Sequence, residues 1–359
     1  MLLVAGLSLK NLKPRVWDPD SQWHIPSLHA VMVSYGDFHR MPAARRAAMD
    51  VGIRAFLSVP DNVSIFLDNG SFYFLRRNGH TSVDAYMDFV RHARPDWFPV
   101  PRDVIPNPSM SKEAQLSCLT TTMEQNRRFS QSGCVPVIHI CDVLEEYLTA
   151  MIDCQSAGNT KAVAIGGIVP NLLRAPKARP YRHILDSTKR IRETFKSSRI
   201  HVFGIGGTAT LHLAYLLQMD SVDSSGWRNR AARGIIQLPG RGDRLVAELG
   251  SWRGRRLSRE EHEILDCCNC PGCRAFGIEG LSASGIEGFS HRAAHNLYTL
   301  VRELQLIESN LRDGTYNYWY ATHLNNSIYR PLVEYALNMT QPVPCNDAGP
   351  TIPAPPARG

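Results

Sequence analysis

Three cysteines and one histidine form the most chemically specific pattern in the sequence. Cys268, Cys270 and Cys273 lie close together, and Gly272 gives this short segment the freedom to turn. Thiolates at that spacing can converge on one face of a tight turn, and a tetrahedral Zn²⁺ then needs one more ligand. The best candidate is His295. Four protein ligands would leave no open coordination position, so the pattern predicts a structural zinc site.

Alternatives remain open for these residues. His291 is a rival for the fourth ligand, and the cysteines could instead be reduced surface thiols or a disulfide pair. Three cysteines so close together, in a chain that has only nine, favour a metal. Cys267 adjoins Cys268, so we expect its side chain to point away from the ion. Apolar residues at helical spacing after His295 predict a helix with His295 near its start.

A second set of candidates stands where short apolar runs of the chain end. The set comprises Asp68, Asp103, His139, Gly166, Gly167, the turn 204–207 and Asp223. Two carboxylates at one site can divide a double displacement, because one attacks an anomeric carbon while the other moves protons. Glycine turns let a backbone N–H approach a flat ligand closely. Singly, such an Asp is more often a turn former and such a His a hydrogen-bonded core residue; together they indicate a barrel enzyme with glycosyl chemistry.

The elements that position these residues alternate between strands and helices. Strands are predicted at 2–9, 30–34, 65–67, 97–100, 135–140, 162–165, 201–205 and 221–222. Amphipathic helices are predicted at 82–92, 112–129, 143–156, 183–195 and 210–219. This alternation favours an α/β fold with a parallel sheet, and about eight units favour a (β/α)₈ TIM barrel with an inserted or appended zinc-binding subdomain. The first strand is not followed by G-x-G-x-x-G, which weakens a dinucleotide-binding alternative.

The same pattern divides the chain into four parts. Residues 1–235 form the main part of the barrel, 236–295 the Arg-rich segment and zinc-binding subdomain, and 296–340 the closing helices, predicted at 296–309 and 327–338 around an aromatic stretch at 316–320. Residues 341–359 contain six prolines and little apolar surface, so we predict a disordered tail.

Composition limits the class of protein. The 359 residues are 43% hydrophobic and 20% charged, as expected of a globular protein with a large core. The apolar start of the chain lacks the basic region of a signal peptide, and we expect no membrane span. Cysteines scattered through 118–154 favour a reducing compartment, so we expect a cytoplasmic protein.

Positive charge is concentrated in one segment. Residues 228–259 contain nine arginines, two acidic residues and no lysine, so their net charge equals the +7 of the whole chain. Arginine suits bidentate phosphate contacts, and the interleaved glycines and Trp252 favour a nucleic-acid backbone over a merely solvated face. The predicted contacts are Arg228, Arg230, Arg253, Arg255 and Arg256.

These motifs together resemble the tRNA-guanine transglycosylase superfamily. Residues 68–72 resemble its D-S-G-G-F pattern, 103–106 its D-E-C-x-P segment, and 166–167 its glycine pair. Asp223 with the following Arg228 resembles its nucleophile segment, and the cysteines with His295-Asn296-Leu297 resemble its zinc site. The resemblance runs in consistent order over roughly residues 2–308.

The resemblance implies roles for these residues. Asp223 would be the nucleophile that attacks C1′, and Asp68 the general acid/base. Asp103, His139 and the 166–167 backbone would hold the edge of the base. A base inside a duplex is unreachable, so the target nucleotide would have to be flipped out or unpaired.

Departures from the family pattern favour the branch that acts on DNA. The tRNA enzymes carry a proline-threonine-arginine element after the nucleophile, a glutamine at the position of His139, and a different loop after Gly167; we also expect no RNA-binding appendage domain after the barrel. The implied function is exchange of guanine in DNA for a 7-deazaguanine such as preQ0. Helper proteins that open the DNA, and a homodimer, are possible partners. Two alternatives are the same chemistry on tRNA and a non-catalytic, zinc-stabilised nucleic-acid-binding subunit.

Overall fold

The structure is a computed structural model that describes residues 1–75, 77, 79–157, 161–168, 180–325 and 327–340. The predicted disordered tail at 341–359 lies outside the described residues. So does most of the loop that follows Gly167, whose sequence departs from the family pattern.

Seven parallel strands form one continuous curved sheet. They are β1 (Leu2–Gly6), β2 (Ala30–Ser34), β3 (Ser64–Asp68), β4 (Val137–His139), β5 (Ala162–Gly166), β6 (Arg199–Val202) and β7 (Ser221–Ser224), in the order β3-β2-β1-β7-β6-β5-β4. Most residues of these strands are buried, and their apolar side chains pack on both faces of the sheet, as in parallel strands that helices cover.

The segment 97–100 closes this sheet into a barrel. Phe66 of β3 pairs in parallel with Trp97, and Pro99 pairs in parallel with Val135, just before β4. Leu67 N donates to Trp97 O at 2.8 Å, and Val135 N donates to Phe98 O at 2.9 Å. Proline cannot donate a ladder hydrogen bond, which explains why this Pro-rich segment pairs only through single bridges. Each of the eight predicted strands therefore has a counterpart in the barrel, and the (β/α)₈ prediction is confirmed.

Helices cover the outside of the barrel. Those of its first half are α1 (Tyr35–Arg40), α2 (Pro42–Val51), α3 (Ile53–Leu57), α4 (Ser71–Leu75), α5 (Val83–Ala93), α6 (Lys112–Arg128) and α7 (Leu144–Ala157). The later ones are α8 (Tyr181–Thr194), α9 (Thr208–Leu216), α10 (Gly226–Ala232), α11 (Arg259–Asp266), α12 (Pro271–Ser282), α13 (Gly285–Arg312), α14 (Tyr316–His323) and α15 (Arg330–Thr340). All five predicted amphipathic helices are present as α5 to α9. Helices α1, α3 and α4, of five or six residues, are too short for a periodic pattern to reveal them, and the ten-residue α2 was not predicted.

Functional candidates gather at one end of the barrel because parallel strands all point the same way. Asp68, His139 and Gly166 are the last residues of β3, β4 and β5, and Asp223 is the third of four in β7. Asp103 follows segment 97–100 closely. We call this carboxyl end of the strands the rim; it is where barrel enzymes carry their chemistry.

A second, smaller core lies after the barrel strands. Strands β8 (Ile235–Leu238) and β9 (Gly242–Leu245) form an antiparallel hairpin, and its apolar side packs with α11 and α12. This core contains Ile236, Leu238, Leu265, Cys270, Cys273 and Leu281. The buried pair Arg244–Glu261 joins β9 to α11 through two hydrogen bonds, of 2.8 and 2.5 Å. The hairpin straddles the predicted boundary at 235/236, and an independent domain here stays a prediction.

The position of His295 within its helix corrects one prediction. Helix α13 begins at Gly285, so His295 lies in its interior and not near its start. The first ten residues of α13 include two glycines and the buried Arg292, whose guanidinium donates to Ala231 O, Leu281 O and Ala283 O. These residues break the apolar periodicity, and the sequence pattern therefore missed the first part of the helix.

None of the helices in the described part of the chain is both long enough and apolar enough to span a bilayer.

Candidate active site and metal centre

Asp68 ends β3 with its carboxylate enclosed at the rim. Oδ2 accepts hydrogen bonds from Ser34 Oγ at 2.7 Å and from Gly70 N at 3.1 Å. Burial raises the pKa of Asp68 to about 6; the hydrogen bond from Ser34 opposes the rise, and the negative charges of Asp103 and Asp223 add to it. A carboxyl group with a pKa near neutrality can both give and take a proton, as a general acid/base must.

Asp103 lies in a different environment at the same rim. Oδ1 accepts hydrogen bonds from Asn69 Nδ2 at 2.7 Å and from Ser71 Oγ at 2.6 Å. Oδ2 is 2.9 Å from Nε2 of His139, although not in ideal hydrogen-bond alignment. Burial by itself would raise the pKa of Asp103, but the hydrogen bond and charge of His139, with the bonds from Ser71 and Asn69, lower it. Asp103 is therefore held ionised more firmly than Asp68, whose pKa lies close to neutrality.

His139 is fully buried at the end of β4. Its Nδ1 atom has no hydrogen-bond partner among the described residues. A Cβ atom at Gly166, the paired residue of β5, would lie 2.7 Å from the His139 ring. Only glycine therefore leaves room for the imidazole here, a steric reason for this glycine that the sequence analysis did not foresee. Gly167 adopts φ +76°, a conformation that favours glycine.

Asp223 projects from β7 with one oxygen anchored. Oδ1 accepts a hydrogen bond from Gly204 N at 2.7 Å, and Nε2 of the buried His201 lies 3.5 Å from the same oxygen. The side chain is 14% exposed, against 8% for Asp103. Asp223 is thus the more accessible of these two carboxylates, with Oδ2 free of hydrogen bonds among the described residues.

Of the three carboxyl groups at the rim, Asp68 has a raised pKa and Asp103 a lowered one. Pairs of carboxyl groups in unlike environments are how one site supplies both an acid/base and an ionised nucleophile. The structure brings Asp68, Asp103, His139, Gly166 and Asp223 to the same end of the barrel, as the sequence predicts, and their catalytic roles stay predictions.

The predicted nucleic-acid contacts divide into buried and exposed arginines. The guanidinium of Arg228 is buried and donates to Asn11 O and to Lys13 O, at 2.5 and 2.9 Å. Arg228 is therefore not a surface phosphate contact, and that prediction is wrong; its guanidinium ties α10 to the N-terminal loop. Arg230 is half-buried and pairs with Asp243 at 2.8 Å.

The remaining predicted arginines form an exposed patch. Arg253, Arg255 and Arg256 are solvent-exposed on the loop that precedes α11, and Arg256 pairs with Glu248. Beside them is a cavity of about 380 Å³ lined by Arg241, Arg244, Arg255, Ser258, Arg259, Glu260 and Glu261. Arg244 is neutralised by Glu261, whereas Arg255 and Arg259 have no acidic partner among the described residues.

The three predicted cysteines and His295 converge on one point between α12 and α13. Nδ1 of His295 lies 3.7 Å from Sγ of Cys268, 3.4 Å from that of Cys270 and 3.3 Å from that of Cys273. Ligands of a tetrahedral zinc ion with ordinary Zn–S and Zn–N bonds would be about 3.6 Å apart. The donor set and its spacing therefore fit a four-ligand metal site.

Groups around the cluster fix its histidine. Nε2 of His295 is 2.9 Å from Gln237 O, which leaves Nδ1 to face the thiols, and such a second contact is typical of metal-bound histidine. The rival ligand His291 points elsewhere, with Nδ1 3.1 Å from Gly272 O. Cys267 is exposed and outside the cluster, as expected.

A second group of possible metal ligands differs in spacing. Nε2 of His212 and Nε2 of His323 lie 2.9 and 2.7 Å from the same oxygen of the buried Glu303. These are hydrogen-bond distances, shorter than those in the cysteine cluster. Nδ1 of His212 is also 2.7 Å from the hydroxyl of Tyr316. The arrangement is a buried hydrogen-bonded chain that joins α9, α13 and α14.

Sequence reasoning missed several residues of the rim. Ser34, Asn69 and Ser71 hold the carboxylates, and His201 faces Asp223. Ser34 also ends a predicted strand, and Asn69 and Ser71 lie in a quoted motif, so position alone could have identified them. His201 begins a predicted strand, and nothing local to it reveals its neighbour on β7.

Comparison with known proteins agrees with this geometry. Residues 22–327 match the family model described as queuine tRNA-ribosyltransferase, which covers most of the chain. A tRNA-guanine(15) transglycosylase of Methanosarcina mazei is 25% identical over 287 residues, and one of Methanosarcina acetivorans is 24% identical over 288. Each alignment covers 77% of this chain and 53% of the relative, so the chain spans about half the length of the curated relatives it matches.

Proposed function

The chain belongs to the queuine tRNA-ribosyltransferase family, and we propose on that premise that it exchanges guanine in a nucleic acid for a 7-deazaguanine base. One observation carries the proposal. Asp68, with a pKa of about 6, shares the rim with an anchored Asp223 whose second oxygen is free of hydrogen bonds among the described residues. A double displacement at a sugar carbon needs this division of labour.

In the first displacement, Oδ2 of the Asp223 carboxylate attacks C1′ of the target nucleotide. The C1′–N9 bond breaks, its electron pair leaves with guanine, and the base takes a proton from Asp68 or from water held by it. A covalent sugar–Asp223 ester results. The Gly204 N–H on Oδ1 keeps the other oxygen oriented toward the sugar.

In the second displacement, the incoming base replaces Asp223. Its N9–H proton passes to Asp68, its N9 forms a bond to C1′, and the ester bond breaks to regenerate the Asp223 carboxylate. Two inversions at C1′ retain the original configuration. Asp68 thus acts first as an acid and then as a base. The exchange as a whole consumes no water.

Asp103, His139 and the 166–167 backbone would hold the edge of the base. The His139 ring lies between Asp103, which is 2.9 Å from Nε2, and Gly166, and its Nδ1 has no partner among the described residues. A buried polar atom without a hydrogen bond is costly, and a base edge would supply the missing partner. This supports base recognition by His139, the position at which the family pattern has a glutamine.

Zinc would be held by Cys268, Cys270, Cys273 and His295. The ion supplies no chemistry in this proposal; it stabilises the fold of the small core, because metal binding to such a cluster is coupled to folding.

The two relatives favour tRNA as the polymer, since both carry names of tRNA-modifying enzymes. On the sequence alone, tRNA was the alternative to DNA. DNA stays a second candidate because of two departures from the tRNA enzymes, His139 and the sequence after Asp223. In either case Arg253, Arg255 and Arg256 supply an exposed positive surface for backbone phosphates.

A label-transfer experiment tests the function and the polymer together. The protein is incubated with radiolabelled guanine and either unmodified tRNA or double-stranded DNA, and label in each polymer is counted after precipitation. We expect uptake into tRNA, and preferential uptake into DNA would restore the second candidate. A parallel incubation with unlabelled preQ0 should chase the guanine label out of the polymer if the incoming base is a 7-deazaguanine.

No uptake into either polymer would contradict the proposal and favour a non-catalytic nucleic-acid-binding subunit. A filter-binding assay with the same two polymers then identifies what it binds. The presence of both Asp68 and Asp223 argues against that alternative, because a subunit without chemistry needs neither.

A further inference from the structure

His201 is fixed inside the barrel directly beside Asp223. It lies on β6 with 2% of its side chain exposed. Its ring centroid is 4.9 Å from that of Trp97, 5.6 Å from that of Phe66 and 4.8 Å from that of Phe203. Three aromatic neighbours at these distances leave the imidazole little freedom to rotate.

Both ring nitrogens of His201 face β7. Nδ1 is 2.9 Å from Ser221 Oγ, and Nε2 is 3.5 Å from Asp223 Oδ1. Ser221 and Asp223 are two residues apart on one strand, so their side chains point to the same face. Within the described residues, Nε2 has no hydrogen-bonded partner, and the carboxylate of Asp223 is the acceptor within its reach.

We infer that His201 is a positioning residue for Asp223, and that it presents an Nε2–H group to the oxygen that does not attack the sugar. The Ser221 hydroxyl donates to Nδ1, which puts the ring proton on Nε2, facing the negative charge. Gly204 N–H and His201 Nε2–H then bracket Oδ1 and orient Oδ2. The inference rests on the proposed function, because the role of Asp223 does.

The 3.5 Å separation is long for a hydrogen bond. Contacts of catalytic groups are often long in ligand-free sites and tighten when the substrate is bound. The same contact favours the second displacement, because a donor on Oδ1 stabilises the carboxylate that departs from C1′.

Ser221, His201 and Asp223 are the three residue types of a serine-hydrolase triad. Here, however, the aspartate and not the serine lies nearest the rim. Strand β7 runs toward the rim, so Ser221 lies about 7 Å deeper in the barrel than Asp223. The serine is buried and the aspartate is the group nearer the site. Ser221 is therefore the residue that fixes the histidine tautomer, and not a nucleophile.

Replacing His201 with Gln or with Asn tests the contributions of its two ring nitrogens separately. Gln places its amide nitrogen near the position of Nε2, and Asn places its own near that of Nδ1; His201→Phe keeps the ring but removes both nitrogens. With a charge-assisted hydrogen bond at stake, we expect His201→Asn and His201→Phe to lower kcat for base exchange about 10- to 100-fold. His201→Gln should stay within about threefold of wild type, and KM for both substrates should change little in all three variants.

Equal losses in His201→Gln and His201→Asn, or a fully active His201→Phe, would overturn the inference, because packing alone would then explain the residue. If the role of His201 were purely structural, His201→Gln would lose more thermal stability than His201→Phe. The variants would then also show no fall in kcat that is independent of KM.

NMR of the full chain labelled with ¹⁵N-histidine tests the contact without any turnover. The His201 signals are assigned by their loss in His201→Gln. We expect a proton on Nε2, a shift of the Nε2 signal in Asp223→Ala, and a shift of the Nδ1 signal in Ser221→Ala. An unprotonated Nε2, or signals indifferent to Asp223→Ala, would refute the placement of the proton. This result stands even if the wild type exchanges no base, an outcome that would refute only the proposed function.

Discussion

The rim of the barrel and the cysteine cluster are both buried polar sites, but they are assembled in opposite ways. Three of the four cluster residues come from one short segment, and their donor atoms point at one another at nearly equal distances of 3.3 to 3.7 Å from His295 Nδ1. The rim residues come from separate strands, and some of their polar atoms lack a hydrogen-bond partner in the described part of the chain, among them Nδ1 of His139.

The difference separates a site made for stability from one made for chemistry. A closed set of donors leaves no position for a substrate, so its free energy can go only into holding the fold. The rim keeps unsatisfied atoms and a carboxyl group with a pKa near 6, which cost stability in the free protein. Function is the reason to retain such groups.

The largest effect is expected at the two rim carboxylates. Asp223→Ala removes the group placed to form the sugar ester, so base exchange and covalent trapping should both vanish while nucleic-acid binding persists. Asp68→Asn keeps the shape but cannot accept a proton, and loss of a positioned acid/base group costs about 10²–10⁴-fold in rate. A denaturing gel should reveal a slowly accumulating polymer-linked band with Asp68→Asn and none with Asp223→Ala. Near wild-type exchange by Asp223→Ala would show that the nucleophile is misassigned.

The cysteine cluster should respond in stability and not in chemistry. Cys270→Ser removes a donor at its centre, and we expect the free energy of unfolding to fall by about 4 kcal/mol or more, with lower solubility. The matched control is Cys267→Ser, whose exposed thiol lies outside the cluster. Elemental analysis should find about one zinc per wild-type chain, because Glu303 with His212 and His323 is spaced for hydrogen bonds. Well-folded protein without zinc, or with two, would contradict this.

Asp68 should make stability fall as the pH rises. Its folded pKa of about 6 exceeds the ordinary value of 3.8, so the folded state binds more protons than the unfolded state between these values. The stabilisation is therefore complete below about pH 4 and is lost as the pH rises through 6, by up to about 3 kcal/mol. Urea unfolding of Asp68→Asn should lack this loss, so its advantage over wild type should grow from pH 4 to 7. The exposed Asp84→Asn serves as control, and a pH-independent difference would refute the burial of the charge.

The smallest effect is expected at the exposed arginine patch. Replacing Arg253, Arg255 and Arg256 together with Ala should weaken nucleic-acid binding. The slope of log binding constant against log salt concentration should become shallower by up to about one per lost phosphate contact. Arg190→Ala is a suitable control, because Arg190 is exposed but pairs with Glu145 on the outer helices. An unchanged slope in filter-binding titrations would mean that the patch faces solvent.

Local pattern was enough for the strands and for the cluster. The eight apolar runs predicted the barrel because a buried parallel strand is an uninterrupted apolar segment whatever its neighbours are. The cysteine spacing predicted a metal site because its donors are close in sequence. The same dependence on local pattern made the predicted helix around His295 too short. Glycines and a buried arginine in the first part of that helix hide its period.

The sequence by itself determined which residues end the strands, and therefore that Asp68, Asp103, His139, Gly166 and Asp223 share one rim. Only the tertiary structure decided what each of them touches. Arg228 is buried against backbone carbonyls from the far end of the chain, and His201 on β6 meets Asp223 on the neighbouring strand β7. Such contacts depend on strand register and on barrel closure, which bring distant residues within a few ångströms and leave no mark on the residues beside them in sequence.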